Sequence, residues 1–305
     1  MLAQMLYDRT LAARSPLAQR VTSRVHKSVT KRVDPTISID VEGIHLHAPL
    51  SHRLPFYRRV HPRWDRNIGV LAALVSEQNP DATMIDIGAN VGDTTAMART
   101  AAHRLPILCV EGNPRFAALL RANASVLGDV EIAAPVLLSD TDGSVRGLFR
   151  EWGGTAAFDA DEAGPHVESV TLDRLLATHP RFSTPALLKS DTDGYEAKIL
   201  AGARQTLLHA RPVLLLEYEP EMLDATGIDG LSMLRALLQL DYRPLLVYDS
   251  TGVPLFMTSL DAERLLADLD RYAREKSTYL EMAVFPRGAE SLAEELHGRE
   301  TALAP

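Results

Sequence analysis

Short apolar runs alternate with amphipathic stretches over most of the chain, and the alternation sets an order of strands and helices. Residues 83–87, 107–110, 130–138, 186–190, 213–216, 244–248 and 280–285 have the length and aliphatic content of buried strands. Between them lie helical patterns. Ile68, Leu71, Ala72 and Val75 share one face of a helix over 64–77, and Asn113-Pro114 starts another, with Asn as N-cap and Pro at the first helical position. Further helices are expected over 171–178, 195–210, 231–240 and 261–274. This order predicts an α/β, doubly wound, seven-stranded sheet with one antiparallel strand, the last one. Upstream, residues 36–41 and 43–46 can pair as a hairpin, and 49–62, rich in Pro, His and Arg, reads as a connector or lid. A polar stretch at 151–168 around Trp152-Gly-Gly-Thr155 reads as a substrate-facing loop, and 287–305 as a polar tail. The expected division is a basic arm with a helical and hairpin extension over 1–80, a catalytic domain over 81–286 and the tail over 287–305.

Chemistry enters at the first core strand. Asp86-Ile-Gly-Ala-Asn-Val-Gly92 is a strand end, a glycine turn and a helix start, and Cys109-Val-Glu-Gly-Asn113 ends the next strand on an acid. A βαβ unit of this kind binds a nucleotide cofactor at the carboxyl ends of its strands. A pyrophosphate site wants G-x-G-x-x-G; here Asn90 stands where the second glycine belongs, so a dinucleotide is disfavoured. Asp86, Glu111, Asp140, Asp191 and Glu217 all fall at expected strand ends. Such a rim repels a pyrophosphate but suits S-adenosylmethionine, with its sulfonium, ammonium and ribose diol. Glu111 follows the turn by roughly the 20 residues at which a ribose-binding acid is found. The expected cofactor residues are Asp86, Gly88, Ala89, Asn90, Gly92, Glu111, Gly112, Asn113, Ser139 and Asp140, the last two beside adenine unless Asp140 only closes its turn.

Four blocks in order resemble the FkbM family of S-adenosylmethionine-dependent methyltransferases: Ile85-Asp-Ile-Gly-Ala-Asn-Val-Gly92; Val110-Glu-Gly-Asn-Pro114 with Phe116 and Asn123; Thr171-Leu-Asp173; and Leu188-Lys-Ser-Asp-Thr-Asp-Gly-Tyr-Glu196, continued by Ile199-Leu-Ala-Gly-Ala203 and Arg211-Pro212 to Glu217. The segment His47 to Pro55 is similar to one carried upstream in that family. The resemblance implies methylation of a hydroxyl on a sugar, glycolipid, polyketide or other specialised metabolite. N-methylation of an amine or peptide and a non-catalytic methyltransferase-like subunit are the alternatives. One block departs from the family's usual Lys-Ile-Asp-Val-Glu-Gly: Ser190 replaces an apolar residue and Asp193 a glutamate.

Methyl transfer to a hydroxyl needs a proton acceptor beside the transferred group. Asp191, ending the fourth strand, is the first candidate, Asp193 the second and His166 the third. Glu196 reads as a helix cap and His209 as a helix C-terminal residue, while His45, His47, His52 and His61 sit in no motif that commits them to catalysis. Asp191 or Asp193 with Glu217 or Glu219 would also offer hard oxygen ligands to Mg²⁺; of these, Asp191 and Glu217 are the expected pair.

Composition changes the picture little. With 46% hydrophobic and 24% charged residues in 305, the chain is an ordinary globular one. Its single cysteine, Cys109, lies inside an apolar strand as a packed thiol, without disulfide or cysteine metal site. No apolar run reaches a membrane span and no leader pattern opens the chain, so a cytoplasmic protein is expected. The charge is uneven. Residues 1–66 hold twelve Lys/Arg against five Asp/Glu, net +7, leaving −15 for the rest. Arg20, Arg24, Lys27 and Lys31 recur at helical spacing beside Val21, Val25 and Val29. That basic helix suits an anionic membrane surface, its own acidic domain or a second copy in a homodimer. Nothing aromatic interleaves the basic residues as nucleic-acid binding would want.

Overall fold

The computed structural model describes residues 2–302. In chain order they form helices α1 (Leu2–Ala12) and α2 (Pro16–Thr30), the hairpin β1 (Thr36–Val41) and β2 (Ile44–Pro49), and helices α3 (Leu54–Val60) and α4 (Arg66–Gln78). Then come β3 (Met84–Ile87), α5 (Asp93–Ala101), β4 (Ile107–Val110), α6 (Pro114–Leu127), β5 (Val130–Ala133), β6 (Leu137–Leu138), β7 (Gly143–Trp152), β8 (Thr155–Ala160), β9 (His166–Val170) and α7 (Leu172–Ala177). The last third holds β10 (Leu187–Ser190), α8 (Glu196–Ala201), α9 (Arg204–His209), β11 (Val213–Tyr218), α10 (Pro220–Ala225), α11 (Gly230–Gln239), β12 (Tyr242–Asp249), β13 (Pro254–Ser259), α12 (Glu263–Lys276), β14 (Leu280–Pro286) and α13 (Glu290–Ala302).

Period-two alternation splits the core in two. Met84, Ile107, Leu187 and Leu215 face one layer, and Ile85, Leu108, Leu188 and Leu214 the other. The main sheet runs β13-β12-β14-β11-β10-β3-β4-β5. Its strands from β11 to β5 are parallel, and β14 is antiparallel to both β11 and β12. An eighth strand, β13, pairs antiparallel on the outer edge of β12, so the sheet has one strand and one reversal more than expected. The expected strand over 130–138 is two pieces in different sheets, because the chain leaves β5 and joins β6 to β9.

Residues 151–168 are not a loop. β7 and β8 pair from Gly147↔Ala160 to Trp152↔Thr155, and with β6 and β9 they make a separate four-stranded sheet. The helix expected over 195–210 is broken at Gly202 and Ala203, and Asp173 accounts for the break. Its carboxylate accepts the backbone N–H groups of Gln205 (2.8 Å) and Thr206 (2.9 Å), starting α9 afresh. The expected polar tail contains α13, which buries Ala293, Leu296 and Glu300. The hairpin β1–β2 is docked rather than free: Asn123 on α6 donates to the carbonyls of His47 and Val91 (2.9 Å each) and accepts from the N–H of His47 (2.8 Å). It thereby ties hairpin, helix and glycine turn together.

Candidate active site

At the carboxyl end of β3 the chain turns through Gly88 (φ 74°), Asn90 (φ 49°) and Gly92 (φ 92°), all left-handed. The turn is pressed against the neighbouring strand: a Cβ on Gly88 would lie 1.9 Å from the carbonyl oxygen of Asp191. Backbone cannot yield there, so Gly88→Ala is expected to lower unfolding free energy by well over the roughly 1–2 kcal/mol that a left-handed Cβ alone costs, read by urea denaturation. A loss under that figure would show that the turn moves away from β10. Register explains what lies beneath. Lys189 pairs with Asp86 across β10 and β3, on the same face of the sheet. Its ammonium sits 3.2 Å from Asp86 and 3.6 Å from Asp191 and donates to the Gly88 carbonyl at 3.2 Å. Asp86, fully buried, also accepts the Thr94 (2.8 Å) and Thr95 (2.6 Å) hydroxyls.

Beside the turn, Glu111 ends β4. One carboxylate oxygen accepts the N–H of Asn90 and the other that of Asn113, each at 2.7 Å. Burial pushes Glu111 up to about 7 even though these two bonds favour its charged form. It lines a narrow compartment of about 60 Å³ with Gly112, Leu137, Leu138, Phe149, Phe158 and Tyr195. The aromatic rings pack edge to face, Phe149 on Phe158 at 5.2 Å and Phe158 on Tyr195 at 5.7 Å.

A larger cavity of about 390 Å³ opens on the other side of the turn and shares Gly88, Asn90, Thr155, Asp191 and Asp193 with the narrow one. The β7–β8 turn lies between them. The Asn90 side chain donates to the Gly154 carbonyl (2.8 Å), and the Thr155 hydroxyl to Asp193 (3.1 Å). In this cavity, His52 Nε2 lies 3.1 Å from the Asp93 carboxylate; His52 is 4% exposed, and neither of its ring nitrogens has a well-directed hydrogen-bond partner among the described residues. Burial raises Asp93, but the close approach of His52 outweighs it and holds the carboxyl below its usual range. Farther in, Asp65, Glu217 and Glu281 line the same cavity with Trp64 and Tyr279, the two rings 6.3 Å apart edge to face. Burial, then the charge of Asp191, raises Glu217 well above the carboxylate range; Glu281, bonded by the Asn67 amide, is pushed up to about 7, also chiefly by burial.

The structure brings most of the expected residues together and leaves some out. Asp191 is exposed at the cavity mouth; Asp193 (φ 52°) is half-buried and pushed up to about 7 by burial and by Asp191. Glu196 opens α8 but braces the loop before it instead of capping the helix: it accepts the Thr192 N–H and hydroxyl (2.6 Å each) and the Gly194 N–H (3.0 Å). Ala89, Gly92 and Asn113 shape the turn and cap α6 without lining either cavity. His166 is on β9, exposed, 3.1 Å from the Ser144 hydroxyl and outside both cavities. Ser139 and Asp140 also line neither; Leu137 and Leu138 line the compartment in their place. Asp191 and Glu217 do share a cavity, but among the described residues no group of three or more His, Cys, Asp or Glu converges on one point, so nothing beyond the shared cavity supports the expected Mg²⁺. Ser190, where the family's usual residue is apolar, is fully buried at the end of β10, and its hydroxyl has no partner among the described residues. His52, Asp93 and Lys189 were not legible as site residues, since their meeting depends on tertiary packing.

Strand order β5-β4-β3-β10-β11-β14-β12 with one reversed member, and a glycine turn and an acid at the ends of β3 and β4, define a Rossmann-like methyltransferase. The Methyltransferase FkbM domain matches residues 86–244, more than half of the chain. This protein belongs to the FkbM family of S-adenosylmethionine-dependent methyltransferases. No curated protein matches it. Among solved structures it is similar to the methyltransferase FkbM from Methylobacillus flagellatus KT (16% identity, 53% of this chain but only 39% of that longer one, TM-score 0.39). An O-methyltransferase from Bacillus cereus in complex with S-adenosylhomocysteine (14%, 86% and 97%, TM-score 0.40) and an S-adenosylmethionine-dependent methyltransferase from Agrobacterium tumefaciens (11%, 84% and 71%, TM-score 0.43) are further likenesses. At such scores the family assignment rests on the domain match alone.

Proposed function

We propose that this enzyme is an O-methyltransferase acting on a hydroxyl of a small molecule or glycan. The observation that carries the reading is the buried His52–Asp93 pair, set in a cavity that meets the glycine turn at Gly88 and Asn90. When bound, S-adenosylmethionine supplies an electrophilic methyl group. Gly88, Asn90, Glu111 and Gly112 would hold its nucleoside end, with Leu137 and Leu138 against the base. Glu111 is suited to the ribose diol, because each carboxylate oxygen has a second lone pair beyond its backbone N–H bond. In the larger cavity His52 takes the acceptor's hydroxyl proton, and Asp93 orients the ring and stabilises the imidazolium that forms. Asp191 and Asp193, which line the same cavity, position the acceptor.

Calorimetric titration with S-adenosylhomocysteine, followed by methyl-transfer assays on hydroxyl and amine acceptors, tests this. A diol is held best by ionised Glu111, and its carboxyl sits at about 7, so affinity should rise as pH passes from 6 to 8. Glu111→Gln should bind at least about tenfold more weakly, as expected when one partner of a charged hydrogen bond is lost, and without that pH dependence. Transfer to amines but not to hydroxyls would overturn the reading.

A further inference from the structure

We propose that α2 is a membrane-interface helix that holds the enzyme on an anionic phospholipid bilayer, whichever group the enzyme methylates. Its inner side faces the protein: Ala18, Thr22, His26 and Val29 are half-buried, and His26 Nε2 meets the Leu50 carbonyl at 2.9 Å. None of its residues is fully buried. On the outer side Leu17, Val21 and Val25, at i, i+4 and i+8, are 73%, 52% and 46% exposed and form one apolar stripe. Arg20, Arg24, Lys27 and Lys31 run alongside that stripe, also exposed.

These four cations make no ion pair among the described residues, although the rest of the chain is strongly acidic. An arm packed on its own acidic domain would have used them. From Arg9 to Val33 the sequence holds no Asp or Glu at all. An apolar stripe bordered by unpaired Lys and Arg, free of carboxylates, matches the boundary between acyl chains and anionic headgroups. The helix is also fixed rather than tethered. Arg59 of α3 donates to the carbonyls of Leu11, in the last turn of α1, and of Ala13, at the start of the α1–α2 connection, while Leu54 and Tyr57 of the same helix line the cavity that holds His52.

The test is co-sedimentation of the full chain with phosphatidylcholine vesicles, with and without phosphatidylserine, at low and high salt. The wild type should pellet with the anionic vesicles only, less so in high salt. Each basic residue near the surface contributes about fivefold in partitioning, so Arg20→Glu/Arg24→Glu should weaken binding by more than about tenfold. Val21→Ser/Val25→Ser should weaken it in the same assay. All four positions are exposed, so each variant is expected to keep the wild-type melting temperature, which thermal melting checks. Equal binding to neutral vesicles, no binding, or variants that pellet like the wild type would each overturn the proposal. So would a wild-type dimer in sedimentation equilibrium that these variants split without any vesicle binding, which would assign the stripe to a second copy.

Discussion

Lys189→Met is expected to remove about 3–5 kcal/mol of stability, the cost of taking one partner from a buried ion pair. Lys189 is 4% exposed and Asp86 0%, so the carboxylate left behind has no solvent to turn to. The hydroxyls of Thr94 and Thr95 remain, but neither carries charge. Burial alone would lower the lysine's pKa; the carboxylates of Asp86, Asp191 and Asp93 reverse this and hold the ammonium charged. The loss would be a large part of the roughly 5–15 kcal/mol that a domain has. Urea denaturation of Lys189→Met beside Lys189→Met/Asp86→Asn separates the two contributions, and the double variant should recover part of the loss. A single-variant loss under about 1 kcal/mol would mean that the Lys189–Asp86 pair is not what holds the ends of β10 and β3 together.

His52→Ala should lower kcat by about 10²–10⁴, the usual worth of a positioned general base, with S-adenosylhomocysteine affinity unchanged. Added imidazole should restore part of the rate, since removing the side chain leaves room beside Gly154, whose Cβ would approach His52 Nδ1 to 2.8 Å. Asp93→Asn should lower kcat by a smaller factor, because the ring keeps its place but loses the carboxylate that steadies its charge. If Asp191→Asn abolished turnover and His52→Ala did not, the base would be the exposed strand-end carboxylate and the buried pair would be structural.

The glycine turn, Glu111 and Asp191 were legible because local sequence fixes them: a strand must end, and the chain must then bend through left-handed conformations that Gly88, Asn90 and Gly92 tolerate. His52 was indistinct among ten histidines, because its partner lies on α5 and only the docking of the N-terminal hairpin brings them together. Asp65 and Glu281 join the acidic wall from opposite ends of the chain. The β7–β8 hairpin was hidden for another reason. Apolar Leu148 and Trp152 are exposed among its polar residues, while the adjacent Ala157 and Phe158 are both buried, so its apolar positions do not follow a strand period. Thr171-Leu-Asp173, matched as a motif, turned out to be scaffold: Thr171 caps α7 and Asp173 caps α9.

The turn from Trp152 to Thr155 carries a kinetic meaning. Thr155 borders both compartments, and the bonds Asn90 to Gly154 and Thr155 to Asp193 anchor the turn to either side of the boundary. Any excursion that lets a bulky molecule pass the turn breaks the same two bonds, whichever molecule is leaving. Opening the boundary between the two compartments is then a single concerted step that costs both bonds at once.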